Sequence, residues 1–421
     1  MKDANLLRKE VLYQVFVRQY GINHNFSDVA KDLKRIKALG ASIIYFMPIF
    51  PIGKINRKGT YGSPYAIADY DIIDPFLGGK EGLINLINEC HKLGLKIIVD
   101  LALNHTSPDA KLLSINEKYY YHKDGIVSGK CADWSDVVDL DYDNKNLYPV
   151  IINSVCNLLK LGFDGFRMDV CSLIPMKFWR ELYKELIKIN PEVLMVGESV
   201  HPGFRDYILS LGVDAPSDEE LYEVFDTLYE YDIDEEAVKM KKSNLKELDL
   251  FIKAVEKENN HFNKPKLRYL ENHDTERIAS FITDKLDILH ALNYFLPGLT
   301  FVYAGEEFGI AKRPDLFELD PVDFKNIKTD YSNLFKKLAD IRKMNYFYNN
   351  QFEIVSIINN VYVLRYKLDN KSLYGIFNFN NEKATINLNI NNGKYLNLLN
   401  DEYFNVRNNN IEVLDMLIFE A

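Results

Sequence analysis

The run Leu161-Gly-Phe-Asp-Gly165-Phe-Arg167-Met-Asp169 is an apolar stretch of strand length that stops at a carboxylate. Two later stretches end the same way: Val193 to Glu198, closing on Gly197-Glu198, and Leu267 to Asp274, closing on Glu271-Asn272-His273-Asp274. An earlier one, Leu95-Lys-Ile-Ile-Val-Asp100-Leu-Ala-Leu-Asn104-His105, stops at an amide and an imidazole. In a parallel barrel the C-terminal ends of the strands surround one pocket. Four strand ends therefore bring acids, histidines and an arginine to one place.

The surrounding pattern supports such a barrel. From Val11 to about Arg342, short β-branched and aromatic runs alternate with amphipathic helical patterns, the signature of repeated βα units. In the first unit, strand Val11 to Val17 precedes Phe26, Val29, Leu33 and Ile36 at helical spacing, with Ser27 as N-cap and Gly40 as terminator. Further strands are expected at Ser42 to Met47, Leu95 to Leu103, Phe163 to Asp169, Val193 to Glu198, Tyr222 to Leu228, Leu267 to Asp274 and Thr300 to Ala304. This is a (β/α)8 barrel of class α/β, assigned to 1–104 and 138–344. The stretch 105–137 is a short inserted subdomain, brief enough to imply an open cleft. After Tyr346 the texture becomes strands separated by Asn-rich turns such as Asn359-Asn360, Asp369-Asn370 and Asn392-Gly393, which predicts a C-terminal antiparallel β-sandwich over 345–421.

These segments resemble the catalytic motifs of the α-amylase family of glycoside hydrolases. The blocks stand in the family's order: Asp-x-x-x-Asn-His at 100–105, Gly-x-Arg-x-Asp at 165–169, Gly-Glu at 197–198 and Asn-His-Asp at 272–274. Tyr65-Ala-Ile-Ala-Asp69-Tyr is similar to the segment that supplies an aromatic platform for the sugar, and Val138-Asp-Leu-Asp141 to the motif before the fourth strand. The resemblance implies cleavage of α-glucosidic bonds in maltooligosaccharides and starch-like α-glucans. It also implies that Asp274 holds sugar hydroxyls, that His105, Arg167 and His273 are secondary contacts, and that Tyr65 stacks beneath the ring.

The chemistry fits the residue types. Retaining cleavage needs two carboxyl groups ~5–5.5 Å apart, one ionised and one protonated. Arg167 lies two residues before Asp169, so on a strand both share a face, and a fixed cation there favours the aspartate; Asp169 is the candidate nucleophile. Glu198 has no arginine beside it in sequence and follows apolar Met195 and Val196, which favours its protonated form; it is the candidate acid/base. Taken singly, a carboxylate at a strand end is more often a helix cap or a solvated loop residue. Joint occurrence in this order overrides that. Glu306 and Glu307, after the eighth strand, are read as structural hydrogen-bonding groups, and Trp134 as a sugar contact or a packing residue. Alternatives on the same fold are a glucanotransferase or a sugar-isomerising enzyme. A non-catalytic binding subunit is disfavoured by the joint presence of Asp169, Glu198 and Asp274.

Composition narrows the partners. The 421 residues are 47% hydrophobic and carry a net charge of −10, enough for a sizeable core and unsuited to nucleic acid or an anionic membrane. Cys90, Cys131, Cys156 and Cys171 have no metal-type spacing and are read as reduced thiols. Met1 to Glu10 runs into Val11 without a signal-peptide pattern, so a cytoplasmic location is expected. No cofactor is expected. Many family members carry Lys-His at the third and fourth positions after the nucleophile, where this chain has Ser172 and Leu173. The loop 20–28 also lacks the dense aspartates a hard cation needs, so only Asn104 remains as a calcium ligand. The sequence carries no signature of oligomeric state.

Overall fold

The strands are buried on both faces, and the alternating direction of their side chains separates two cores. The computed structural model describes residues 3–130, 134–325, 327 and 329–421. Strands β1 (Val11–Val15), β2 (Ile43–Phe46), β3 (Lys96–Leu101), β4 (Gly165–Met168), β5 (Leu194–Gly197), β6 (Thr227–Tyr229), β7 (Lys266–Arg268) and β8 (Leu299–Tyr303) close into one barrel, each pairing with its sequence neighbours and β8 returning to β1. Leu12, Ile43, Tyr45, Ile98, Val196 and Phe301 fill the interior. Their neighbours Ile44, Phe46, Ile97, Val99 and Met195 face outward beneath the helices. Each fully buried side chain of this kind contributes about 1.5–3 kcal/mol, an upper estimate of the stabilisation.

Several local expectations shift. The first barrel helix runs Phe26–Ala38, and its N-cap is Asn25, whose side chain accepts the Ser27 N–H at 3.0 Å. Ser27 is thus inside the helix. The helices Gly79–Lys92 and Tyr148–Lys160 precede β3 and β4 and end at Gly94 and Gly162, both with positive φ. The sixth strand is Thr227–Tyr229 and does not begin at Tyr222. Ser217 and Glu220 form a reciprocal capping box that folds Asp218–Leu221 into a helical turn, so the apolar run up to Phe225 packs as turn and loop.

Beyond β3 the chain makes two small antiparallel pairings, His105–Thr106 with Val138–Asp139 and His122–Lys123 with Ile126–Val127. Trp134, Asp136 and Val137, just before Val138, reach the cleft. Cys131 lies outside the described residues, while Cys90, Cys156 and Cys171 are free and buried. No described helix is long and apolar enough to cross a membrane.

The tail contains β9 (Gln351–Ile358), β10 (Val361–Leu368), β11 (Lys371–Asn378), β12 (Ala384–Asn387), β13 (Gly393–Asn397), β14 (Glu402–Val406), β15 (Asn410–Val413) and β16 (Met416–Glu420). A four-stranded antiparallel sheet, β9-β10-β11-β16, stands with the pairs β12-β15 and β13-β14. Val363, Ile376 and Phe419 of the large sheet pack with Ile386, Val406 and Ile411 of the pairs. Tyr366 fixes this unit to the barrel by donating to the Phe295 carbonyl at 3.0 Å and packing its ring against Phe295 and Phe347. Leu414-Asp415 divides the last two strands, β15 and β16.

Candidate active site

Strand register sets the centre of the site. Asp100 on β3 lies opposite Arg167 on β4, which lies opposite Val196 on β5. Close approach of β4 to β5 requires glycine at 165, because a Cβ there would lie 2.1 Å from the Leu194 carbonyl oxygen. Arg167 is wholly buried, and its Nη1 donates to Asp100 Oδ1 at 2.8 Å, Asp100 Oδ2 at 3.0 Å and Asp169 Oδ1 at 2.8 Å. Its Nη2 lies 2.6 Å from Glu198 Oε1. One guanidinium thus joins three carboxylates.

In space Arg167 serves both carboxylates, which the sequence spacing does not show. Glu198 has no arginine near it along the chain, but in space it meets Arg167, and it also accepts from Tyr231 OH at 3.1 Å and from the Val170 N–H at 3.0 Å. Asp169 is held well above the usual carboxylate range, first by burial and then by the charge of Glu198, with Arg167 pulling the other way. Asp169 and Glu198 thus share one guanidinium.

Val170, directly after Asp169, adopts φ +37°, a left-handed conformation unusual for a β-branched residue. Such a conformation costs of order 1–3 kcal/mol and is retained where the surroundings impose it. Its result is visible. The Val170 N–H turns to Glu198 Oε2, and the Cys171 N–H donates to the Glu198 carbonyl at 2.7 Å.

The other expected residues converge on the same space. Tyr65, His105, Asp169, Glu198 and Asp274 line one cavity of about 330 Å³. Arg167 lies behind it, and His273 reaches it through its partners. Tyr65 OH lies 2.9 Å from Asp100 Oδ2 and 2.5 Å from His273 Nε2, and the two rings stack at 5.5 Å. Gln14 Nε2 contacts His273 Nδ1 at 2.9 Å, which fixes the imidazole. The cleft walls push Asp274 up, but His273 at 2.9 Å, together with Arg167 and Arg313, outweighs them and holds it at about 2. Asp274 therefore stays ionised while its side chain remains 44% open to the cavity. Burial takes His105 down to about 4 against the pull of Asp136, so its imidazole is neutral at neutral pH. His105 Nε2 stands 4.0 Å from Asp169 Oδ2.

Beyond Asp100, which opens the Asp-x-x-x-Asn-His block, several contributors had no motif to announce them. Asp100 is the inner partner of Arg167 and accepts from Tyr45 OH at 2.5 Å. Tyr231 lies at the end of β6, and Lys58, Ser63, Asp136, Leu316 and Phe317 reach the cavity from loops. The short insert leads one to expect an open cleft; Leu316 and Phe317, from the long segment after β8, supply a wall in its place. Trp134 lines the cavity and packs on His105 at 5.5 Å, while Trp179 is fully buried. Glu306 accepts the Tyr303 N–H at 3.1 Å, and Glu307 accepts from Tyr13 OH at 2.7 Å and pairs with Arg35. Both are buried in these bonds, away from the cavity lining.

The calcium position has a sparse donor set. Asn104 Nδ2 donates to Asp139 Oδ1 at 3.4 Å, and the Lys130 N–H donates to Asp139 Oδ2 at 2.9 Å. Asn104 Oδ1 is buried without a hydrogen-bond partner. Ser172 spends its hydroxyl on the Val200 N–H, and Leu173 packs with Ile208 and Trp134. Among the described residues no three His, Cys, Asp or Glu side chains converge as a metal site. Among the described residues two oxygen-bearing side chains, Asn104 and Asp139, meet here, against the 6–8 oxygens a calcium ion takes.

Comparison with known proteins places the molecule. Residues 24–351 match the model of the α-amylase catalytic domain, and 353–415 that of the bacterial α-amylase C-terminal domain. The crystal structure of an α-amylase from Lactobacillus plantarum superposes with a TM-score of 0.95 at 32% identity, covering 99% of this chain and 100% of that one. α-Amylase 3 of Dictyoglomus thermophilum is 27% identical over 355 residues, 75% of this chain and 67% of that protein. An α-1,4-glucan:maltose-1-phosphate maltosyltransferase of Mycobacterium tuberculosis is 28% identical over 236 residues, 49% of this chain, which spans only 34% of that enzyme's length. With a catalytic-domain match over most of its length, a full-length structural counterpart and acids gathered at the strand ends, the chain belongs to the α-amylase family of glycoside hydrolases.

Proposed function

We propose that the protein hydrolyses α-glucosidic bonds of maltooligosaccharides and starch-type α-glucans with retention of configuration, through a glycosyl ester on Asp169. The observation that supports this best is the bridging of Asp169 and Glu198 by Arg167 at 2.8 and 2.6 Å, with both carboxyl groups facing one cavity. In the reacting state Glu198 is protonated and donates to a lone pair of the glycosidic oxygen, while Asp169 is an anion against Arg167. Asp169 then attacks the anomeric carbon while the C–O bond to the leaving sugar breaks and Glu198 gives its proton to that oxygen. Water enters next. Glu198 takes a proton from it, the new C–O bond forms, and Asp169 departs as carboxylate. Asp274, ionised throughout, accepts from ring hydroxyls, while His105 and His273 contribute hydrogen bonds and Tyr65 lies beneath the ring.

Proton NMR of the first product from maltotriose tests this. The α anomer is expected before mutarotation, and an initial β anomer would mean inversion. Similarity to a maltosyltransferase favours one second reading, in which a sugar hydroxyl replaces water. Products longer than the substrate, dominant even at dilute maltotriose, would establish that reading.

No metal enters this scheme. Dialysis against a chelator is expected to leave kcat and Tm unchanged; a loss in both that calcium restores and magnesium does not would contradict it. The free, buried Cys90, Cys156 and Cys171 support a reducing, cytoplasmic setting.

A further inference from the structure

Glu198 must reach the oxygen that departs, so the leaving part of the substrate lies on the β5 side of the cavity. The strands flanking β5 are β4 and β6. Segments following β1, β2 and β8 rise from the opposite arc, and the part of the substrate that stays bound extends towards them.

That arc is fastened shut. Arg18, buried after β1, donates to the carbonyls of Gly62 at 3.0 Å and Leu316 at 2.5 Å. Gln19 Nε2 donates to the carbonyls of Asp315 and Glu318, each at 2.6 Å. The Tyr61 N–H meets the Phe317 carbonyl at 2.9 Å, and the Thr60 N–H meets Glu318 Oε1 at 2.8 Å. These bonds tie the β8 segment to the β2 loop, and Leu316 and Phe317 present themselves to the cavity. The remaining gap, between the β2 loop and the insert, is crossed by Lys58 Nζ and Asp136 Oδ1 at 2.8 Å, and both residues line the cavity.

We infer that this wall makes the site blind on the side of the bound sugar, so that the enzyme removes glucose or maltose from the non-reducing ends of α-glucans, with the Lys58–Asp136 pair as its specificity-determining element. The inference rests on the assignment of Glu198 as the acid, which fixes the direction of the chain. A cavity of about 330 Å³ holds a short segment, and a longer one would have to pass through the pair. The chemistry of the pair suits a chain end. An ammonium with two N–H groups to spare and a carboxylate with free lone pairs form charge-assisted hydrogen bonds to the terminal hydroxyls that an internal glucosyl unit lacks.

The test uses two forms of 4-nitrophenyl α-maltoheptaoside, one free and one with its terminal 4- and 6-hydroxyls bridged by an ethylidene group. Total sugar products are resolved by chromatography. The wild-type protein is expected to cut the free form and to cut the blocked form at least ~100-fold more slowly, since buried Asp136 and the half-buried Lys58 would lose the terminal hydroxyls as partners. A variant with both Lys58→Ala and Asp136→Ala leaves no lone charge behind; it is expected to narrow that ratio at least ~10-fold and to release oligosaccharides longer than maltose. Equal wild-type rates on the two forms would overturn the inference while leaving the hydrolase reading intact, as would a double variant, folded by its Tm, with an unchanged ratio. Failure to cut either form, or to release fluoride from α-glucosyl fluoride, would overturn both.

Discussion

Asp169→Asn is expected to lower kcat on every α-glucoside by roughly 10⁴-fold or more, whatever the leaving group, because no other side chain can form the ester. Asn keeps the shape of the site, and Arg167 still holds Asp100 and Glu198. The Tm should therefore stay near that of the parent, separating loss of chemistry from loss of fold. Steady-state rates on maltotriose and on α-glucosyl fluoride check the expectation together. Residual turnover that depends on the leaving group would show that another carboxylate attacks.

Glu198→Gln is expected to separate the substrates that Asp169→Asn treats alike. Cleavage of maltooligosaccharides should fall by roughly 10³-fold, since a sugar alkoxide leaves only with a proton. Fluoride departs with little protonation, so its release from α-glucosyl fluoride should persist. Water then lacks a base in the second step, and azide, which needs none, should accelerate turnover and yield the α-glucosyl azide. Near-normal activity on natural oligosaccharides, or a β-azide product, would remove Glu198 from its role.

The barrel could be read from the chain because each strand is a short apolar run and the helices before β2, β3 and β4 close on Gly40, Gly94 and Gly162, signals that act over a few residues. Gly165 and Gly197 were visible as motif letters; the close strand approach that requires glycine at 165 emerges only with the Leu194 carbonyl in place. The short sixth strand was misplaced because Ser217 and Glu220 cap a helical turn whose apolar continuation looks like a strand. The motif residues Tyr65, His105, Asp169, Glu198 and Asp274 were legible and share one cavity. The charged surroundings of Glu198 were not legible. They depend on Arg167 reaching Glu198 across strands and on the left-handed Val170, neither of which has a local signature. Nor did sequence reveal the wall, since Lys58, Asp136 and Phe317 come from three separate segments and meet only in space.

The central claim is a covalent sugar on Asp169. Brief reaction of the parent protein with 5-fluoro-α-glucosyl fluoride, whose ring fluorine slows both steps and whose fluoride leaves readily, should trap that ester for peptide mass spectrometry. The account predicts one added fluoroglucosyl mass on the peptide carrying Asp169, absent from the Asp169→Asn protein. Label on Glu198 or Asp274, or fluoride release with no covalent label at any time, would contradict it.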